Sequence, residues 1–159
     1  MIKIDDELLD EVTRKARVSP RLRMNYNFHY GPGDTLQRML NAMEPGTYLR
    51  PHKHEDPDKR EAFFALRGSL CILQFNDSGK IIDHTILDAR KGSYGAEIPE
   101  RTWHSIIALE TGSVAYEVKD GPYVPITDKN FASWAPAEGS PEVKAYLEGL
   151  IAALGLKIG

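Results

Sequence analysis

The residues of this chain with the most chemistry in them are His52 and His54, in "YLRPHKHEDPDKREAFFALRG" (48 to 68), followed by Glu61, and His104 far downstream in "EIPERTWHSIIALE". On an extended strand, side chains alternate with period two, so His52 and His54 project from one face and reach a common point. Arg50 shares that face, and Pro51 and Lys53 take the other. Glu61 stands where a returning strand begins, after a turn around Pro57, and His104 opens an apolar strand with Ile106 and Ala108 on its face. Three imidazoles and one carboxylate suit a divalent transition metal (Fe, Mn, Ni, Co or Zn) and suit calcium or magnesium poorly. A His-x-His pair is also a common solvated feature of polar turns, and the residues alone leave both readings open.

Positioning such residues is work for short strands. From about residue 35 the chain runs as apolar segments bounded by turn residues: 36 to 43, 47 to 53, 61 to 67, 69 to 75, 81 to 87, 94 to 98, 103 to 109 and 113 to 119. The punctuation is explicit in "EPG", "RGS", "NDSGK", "RKGS", "ETGS" and "KDGP". Ahead of these, Leu8, Leu9, Val12 and Ala16 recur at helical spacing over 5 to 17, with acids early and bases late, and Ser19-Pro20 closes the helix. Behind them, an aperiodic stretch from 123 to 136 leads to Ser140-Pro141-Glu142, which reads as the N-cap and first turn of a second helix. Its stripe of Val143, Tyr146, Leu147, Leu150, Ile151 and Leu154 packs on the barrel or on a second copy of the chain. The expectation is a mainly β single domain: 1–34 as helix and arm, 35–122 as the barrel, 123–159 as a C-terminal extension and helix.

The segment "GTYLRPHKHEDPDKREAFFALRG" resembles the first cupin motif, with Gly46, His52, His54, Glu61 and Gly68 in place, and "GSYGAEIPERTWHSIIA" resembles the second, with Gly92, Pro99 and His104. The resemblance implies a double-stranded β-helix, or jelly-roll barrel, holding a divalent transition metal on His52, His54, Glu61 and His104. The spacer of six residues between His54 and Glu61 is longer than the family's usual one and leaves Glu55, Asp56 and Asp58 as rival carboxylates. Arg101 replaces a glycine of the second motif, and Ala108 its terminal asparagine. Over nearly the whole chain, through "SPRLRMNYNFH", "LQRMLNAMEPGTYLRPHKH" and "WAPAEGSPE", the sequence is similar to the small WbuC-type cupin-fold metalloproteins associated with bacterial surface-polysaccharide gene clusters.

That resemblance implies a small-molecule ligand, and a metal in such a barrel suits the isomerisation or epimerisation of a sugar phosphate or nucleotide sugar. A non-haem metal dioxygenase and a non-catalytic binding module use the same ligand set. Arg21 and Arg23 are candidates for an anionic group, and Asn25, Asn27 and His29 alternate on one face if their segment is extended. The same side chains equally suit holding the arm to the barrel. His29 is the first candidate general acid or base; Arg50 and Tyr116 are candidates for the same cavity. His84 reads as a surface residue, Trp103 and Trp134 as packing, and Cys71, the lone cysteine inside an apolar run, as a buried hydrophobe.

At 159 residues, with 42% hydrophobic and 27% charged residues and a net charge of -3, the chain is long enough for one self-sufficient core and carries no field that would draw nucleic acid or anionic membrane. The acidic "MIKIDDELLDEV" start is unlike a secretory signal, so a cytoplasmic protein is expected, with a homodimer as the assembly.

Overall fold

The structure is a computed structural model and describes residues 1–124 and 130–159. Helix α1 (Asp6–Val18) starts at Asp5, whose carboxylate accepts from the Leu8 N–H at 3.2 Å; Asp6 and Glu7 occupy its first turn and Lys15 and Arg17 its last, as the helix dipole favours. Ten strands follow among the described residues: β1 (Arg23–Asn27), β2 (Leu36–Met43), β3 (His52–Lys53), β4 (Glu61–Arg67), β5 (Leu70–Phe75), β6 (Ile81–Leu87), β7 (Gly95–Ile98), β8 (Trp103–Ala108), β9 (Ser113–Asp120) and β10 (Asn130–Phe131). Helix α2 (Val143–Ala153) comes last. The strands form two antiparallel five-stranded sheets, β1-β2-β9-β4-β7 and β10-β3-β8-β5-β6.

The core lies between the sheets. Met43, Phe63, Ala65 and Ala115 face it from the first sheet and Leu70, Ile72, Ile106 and Ala108 from the second. Alternate residues on the same strands turn outward and meet the helices. Leu40, Ala42 and Val114 pack against Leu9, Val12 and Ala16 of α1, whereas Cys71, Leu73, Phe75 and Ile107 pack against Leu147 and Leu150 of α2. Each fully buried aliphatic side chain here contributes about 1.5–3 kcal/mol. The apolar stripe of α2 thus lies on the outside of its own barrel. Cys71 is fully buried, and burial pushes its thiol up to about 11. His84 is on the surface, and Trp103 and Trp134 pack against each other with ring centroids 6.0 Å apart.

Two expectations need correction, and the form of the arm, left open by the sequence, is now given. The segment 47–53 pairs as a strand only at His52–Lys53, because side chains and a distant strand occupy its carbonyls. Arg23 Nη1 donates to Tyr48 O (2.9 Å), Ser105 Oγ to Leu49 O (2.6 Å) and Ala132 N to Pro51 O (2.9 Å), while Pro51 has no N–H to give. The N-terminal arm is a true strand, β1, at the edge of the first sheet. Helix α2 begins at Val143, after a turn closed by the Val143 N–H on Ser140 O (3.2 Å), so Ser140 is not its N-cap. Part of the aperiodic stretch, 125–129, lies outside the described residues.

Turn chemistry agrees with the motifs. Gly68, between β4 and β5, has φ +70°, and a Cβ there would come within 2.9 Å of Ser113 Cα. Asp88 opens the short turn after β6, and the Arg90 guanidinium beside it, outweighing the upward push of burial, holds its carboxyl down to about 2. A folded-state value below the unfolded value of about 3.9 means that this contribution to stability is complete above pH 4 and is lost as the pH falls from about 4 towards 2. Asp88→Asn is therefore expected to lower Tm at pH 7 and to narrow its gap to the parent protein at pH 2–3, as read by thermal melts across that range.

Candidate metal centre

His52 on β3 and His104 on β8 are register partners across the second sheet, and His54 follows His52 by one period of the strand. Glu61 opens β4 in the opposing sheet, in register with Lys119 on β9 and Ile98 on β7. These elements bring one donor atom from each of His52, His54, Glu61 and His104 to within 4.8 Å of one another, on side chains that are all buried. His54 Nε2 is 2.6 Å from Glu61 Oε1, His104 Nε2 is 3.1 Å from Glu61 Oε2, and the His52 and His104 rings lie 4.4 Å apart between centroids.

The outward nitrogens set the tautomers. His104 Nδ1 meets the Thr102 carbonyl at 2.8 Å and His52 Nδ1 meets the Arg50 carbonyl at 3.1 Å; a carbonyl only accepts, so each Nδ1 carries a proton, and Nε2 is the nitrogen turned to the cluster and left to bind an ion. Burial alone would push the Glu61 carboxyl up, but the contacts from His104 and His54 outweigh it and hold it well below the usual carboxylate range. Electron pairs converging on one buried point at the mutual distances of this cluster are what a small divalent cation requires, so the residues present fit a transition metal.

The longer spacer resolves in the same geometry. Glu55 pairs with Lys53 (2.7 Å), Asp58 pairs with Arg101 (2.9 Å) and Asp56 is exposed, so Glu61 is the carboxylate in the cluster. Arg101 adopts the left-handed conformation, φ +61°, that a glycine would take more easily. Its N–H donates to His54 O at 3.1 Å, which ties the turn of the second motif to the histidine strand.

The remaining candidates divide. On β1, Asn25 and Asn27 do share a face, in register with Asn41 and Met39 of β2, and Asn25 Nδ2 lies 3.2 Å from Met39 Sδ. His29 follows at the end of the sheet where Gln37, Lys119 and Glu61 align; its Nδ1 lies 3.2 Å from Arg38 N and 3.1 Å from Arg38 O. Arg23 is drawn away: its guanidinium bonds both oxygens of Glu138 (2.7 and 2.8 Å) and Tyr48 O, clasping the arm to the C-terminal segment. Arg21 is exposed, and its carbonyl accepts from Thr47 Oγ1. Arg50 donates to Ala132 O at 2.7 Å and lies over the Phe131 ring, which seats β10 against β3. Tyr116 points to the outer face of β9, where it packs on Phe28 with centroids 5.7 Å apart, and does not reach the cluster.

The inner face of β9 carries Glu117 and Lys119 instead, both buried. Lys119 Nζ is 3.8 Å from Glu61 Oε1, and Asn41 Nδ2 donates to Glu117 Oε2 at 2.9 Å. The signal was the alternation in "YEVKD", read in the other phase.

Similar architectures occur in solved structures. The capsular polysaccharide assembling protein CapF from Staphylococcus aureus is 21% identical over 72% of this chain and 30% of its own, with a TM-score of 0.58. Protein SO0799 from Shewanella oneidensis is 12% identical over 95% of this chain and 90% of its own (TM-score 0.55), and L-ribose isomerase from Cellulomonas parahominis is 15% identical over 74% and 72% (TM-score 0.54). The chain spans less than a third of the CapF chain that it matches. At these identities the likeness shows the fold, which is that of the cupins. No curated protein sequence matches the chain. No helix among the described residues is long and apolar enough to cross a membrane. Residues 4–87, from α1 through β6 and including His52, His54 and Glu61, match the sequence profile described as a domain of unknown function, DUF6016, and the chain belongs to that family.

Proposed function

We propose that this protein is a metal-dependent isomerase or epimerase acting on a sugar phosphate or nucleotide sugar in surface-polysaccharide biosynthesis, as its resemblance to the WbuC-type proteins implies. The observation that carries the reading is the buried cluster of three histidines and a glutamate beside an ammonium and a second carboxylate on the same inner face, Lys119 and Glu117. The capsular assembly named for CapF and the L-ribose bound to the isomerase are in keeping with it.

His52, His54, Glu61 and His104 would hold the ion, which would supply a Lewis acid for a substrate carbonyl oxygen. The chain's own residues then orient and move protons. Lys119 brings an ammonium, 3.8 Å from Glu61 Oε1, to a substrate oxygen beside that carboxylate, and His29, whose Nδ1 lies within reach of both the N–H and the carbonyl of Arg38, is the general acid or base. Asn25 and Asn27 line the approach along β1, and Arg50 keeps β10 closed over the histidine strand.

The reading includes a cytoplasmic homodimer, for which exposed Phe64 and Leu66 on the outer face of β4 supply apolar surface. Protein purified without a histidine tag is expected to carry about one transition metal per chain and to interconvert a member of a panel of sugar phosphates and nucleotide sugars. A chelator and Glu61→Gln should each stop the conversion. Failure to bind any metal on titration, or oxygen consumption by the iron-loaded protein in place of sugar conversion, would overturn the assignment.

A further inference from the structure

One strand period inward from Lys119, the inner face of the first sheet carries a second polar pair, Asn41 on β2 and Glu117 on β9, both buried. Their direction follows from their neighbours. Met43, two residues beyond Asn41, and Ala115, two before Glu117, both lie in the core between the sheets, whereas Leu40 and Ala42 face α1.

The bond between the pair decides which end of the amide is which. A carboxylate accepts, so the Asn41 NH2 must face Glu117 Oε2, as it does at 2.9 Å, and Oδ1 is then the other end of the amide. That oxygen is buried and has no hydrogen-bond partner among the described residues. Asn25, its register partner on β1, directs its own amide to Met39 Sδ. An unmet buried acceptor is costly, and such groups in native proteins call for an explanation.

We infer that Asn41 and Glu117 form a subsite for a vicinal diol of the bound ligand, the Asn41 carbonyl accepting from one hydroxyl and the Glu117 carboxylate from its neighbour. A carboxylate has about four lone-pair positions, so Glu117 accepts a hydroxyl in addition to the Asn41 amide. Two acceptors side by side favour hydroxyl donors, whereas the phosphate, carboxylate or carbonyl end of a ligand is better met by the Lys119 ammonium. A site built to bond a hydroxyl discriminates strongly against the analogue that lacks it, because its own buried groups are then left unpaired. The inference deepens the sugar-derivative reading and rests on it.

The test titrates the full-length protein with erythritol and with 1,4-butanediol, which has the same carbon count but no neighbouring hydroxyls, while following the Asn41 side-chain amide by nitrogen-15 NMR; Asn41→Asp identifies the resonance. Erythritol is expected to shift that resonance saturably, with a Kd at least about tenfold below that of butanediol, and to do so in Glu61→Gln as well. Equal responses to the two alcohols, or no response to erythritol, would overturn the subsite. So would a response that vanishes in Glu61→Gln, since the polyol would then be held at the metal centre. A sustained erythritol response in a protein that converts no sugar leaves the subsite standing and removes only the isomerase reading.

Discussion

Metal-stripped protein will melt roughly 5–10 °C below the same protein given a divalent transition metal at a hundredfold excess over its Kd, and Glu61→Gln will abolish the difference. A ligand that binds only the folded state at that excess stabilises it by about 2.7 kcal/mol, and for a chain of this size each kcal/mol moves Tm by about 2–4 °C. The glutamine keeps the shape of Glu61 but removes the anion that His54 Nε2 and His104 Nε2 face at 2.6 and 3.1 Å. Differential scanning fluorimetry with and without metal, on both proteins, measures the effect. Equal metal shifts in the two proteins would show that the cation is held elsewhere.

The second large effect is expected beneath the centre. Ile106 is 2% exposed, pairs with Ile72 of β5 and shares the face of His104 two residues before it. Ile106→Ala should cost about 2–5 kcal/mol, since it removes buried methyl groups from the core between the sheets and leaves a cavity. For a chain of this length that appears as a fall in Tm of roughly 4–20 °C. Ile82→Ala, on an exposed side chain of β6, should stay within about 0.5 kcal/mol of the parent. If the two variants melt alike, the core does not lie where the register places it.

The contrast between strands shows what the sequence carried and what it did not. β2 and β6 begin and end where their apolar runs and flanking turns predict, because the turns on either side supply Gly and Asp at the required places, although β2 is almost wholly buried and β6 almost wholly exposed. The centre was legible for a similar reason, since His-x-His needs only the period of a strand to converge. Tyr116 was misplaced because the usual rule of apolar inside and polar outside is inverted at the mouth of this barrel. There the inner face of β9 bears Glu117 and Lys119, and the aromatic ring faces α1 and β1. Arg23 was left open between ligand and clasp for want of a long-range partner: nothing local marks Glu138, 115 residues away, as the group that claims its guanidinium. β1 has a half-polar pattern, because its apolar partners lie on the helix side of the sheet.

The two-residue strand β10 changes what counts as the metal site. Phe131 is the register partner of His52, the Ala132 N–H holds Pro51 O, and Arg50 returns a bond to Ala132 O, so the strand that presents two of the ligands is framed on one edge by a segment about eighty residues away. Sequence divergence at Asn130, Phe131 or Ala132 among relatives is therefore divergence in how tightly the histidine strand is held. Two homologues with identical ligands can differ in metal retention through a tail that touches no ion.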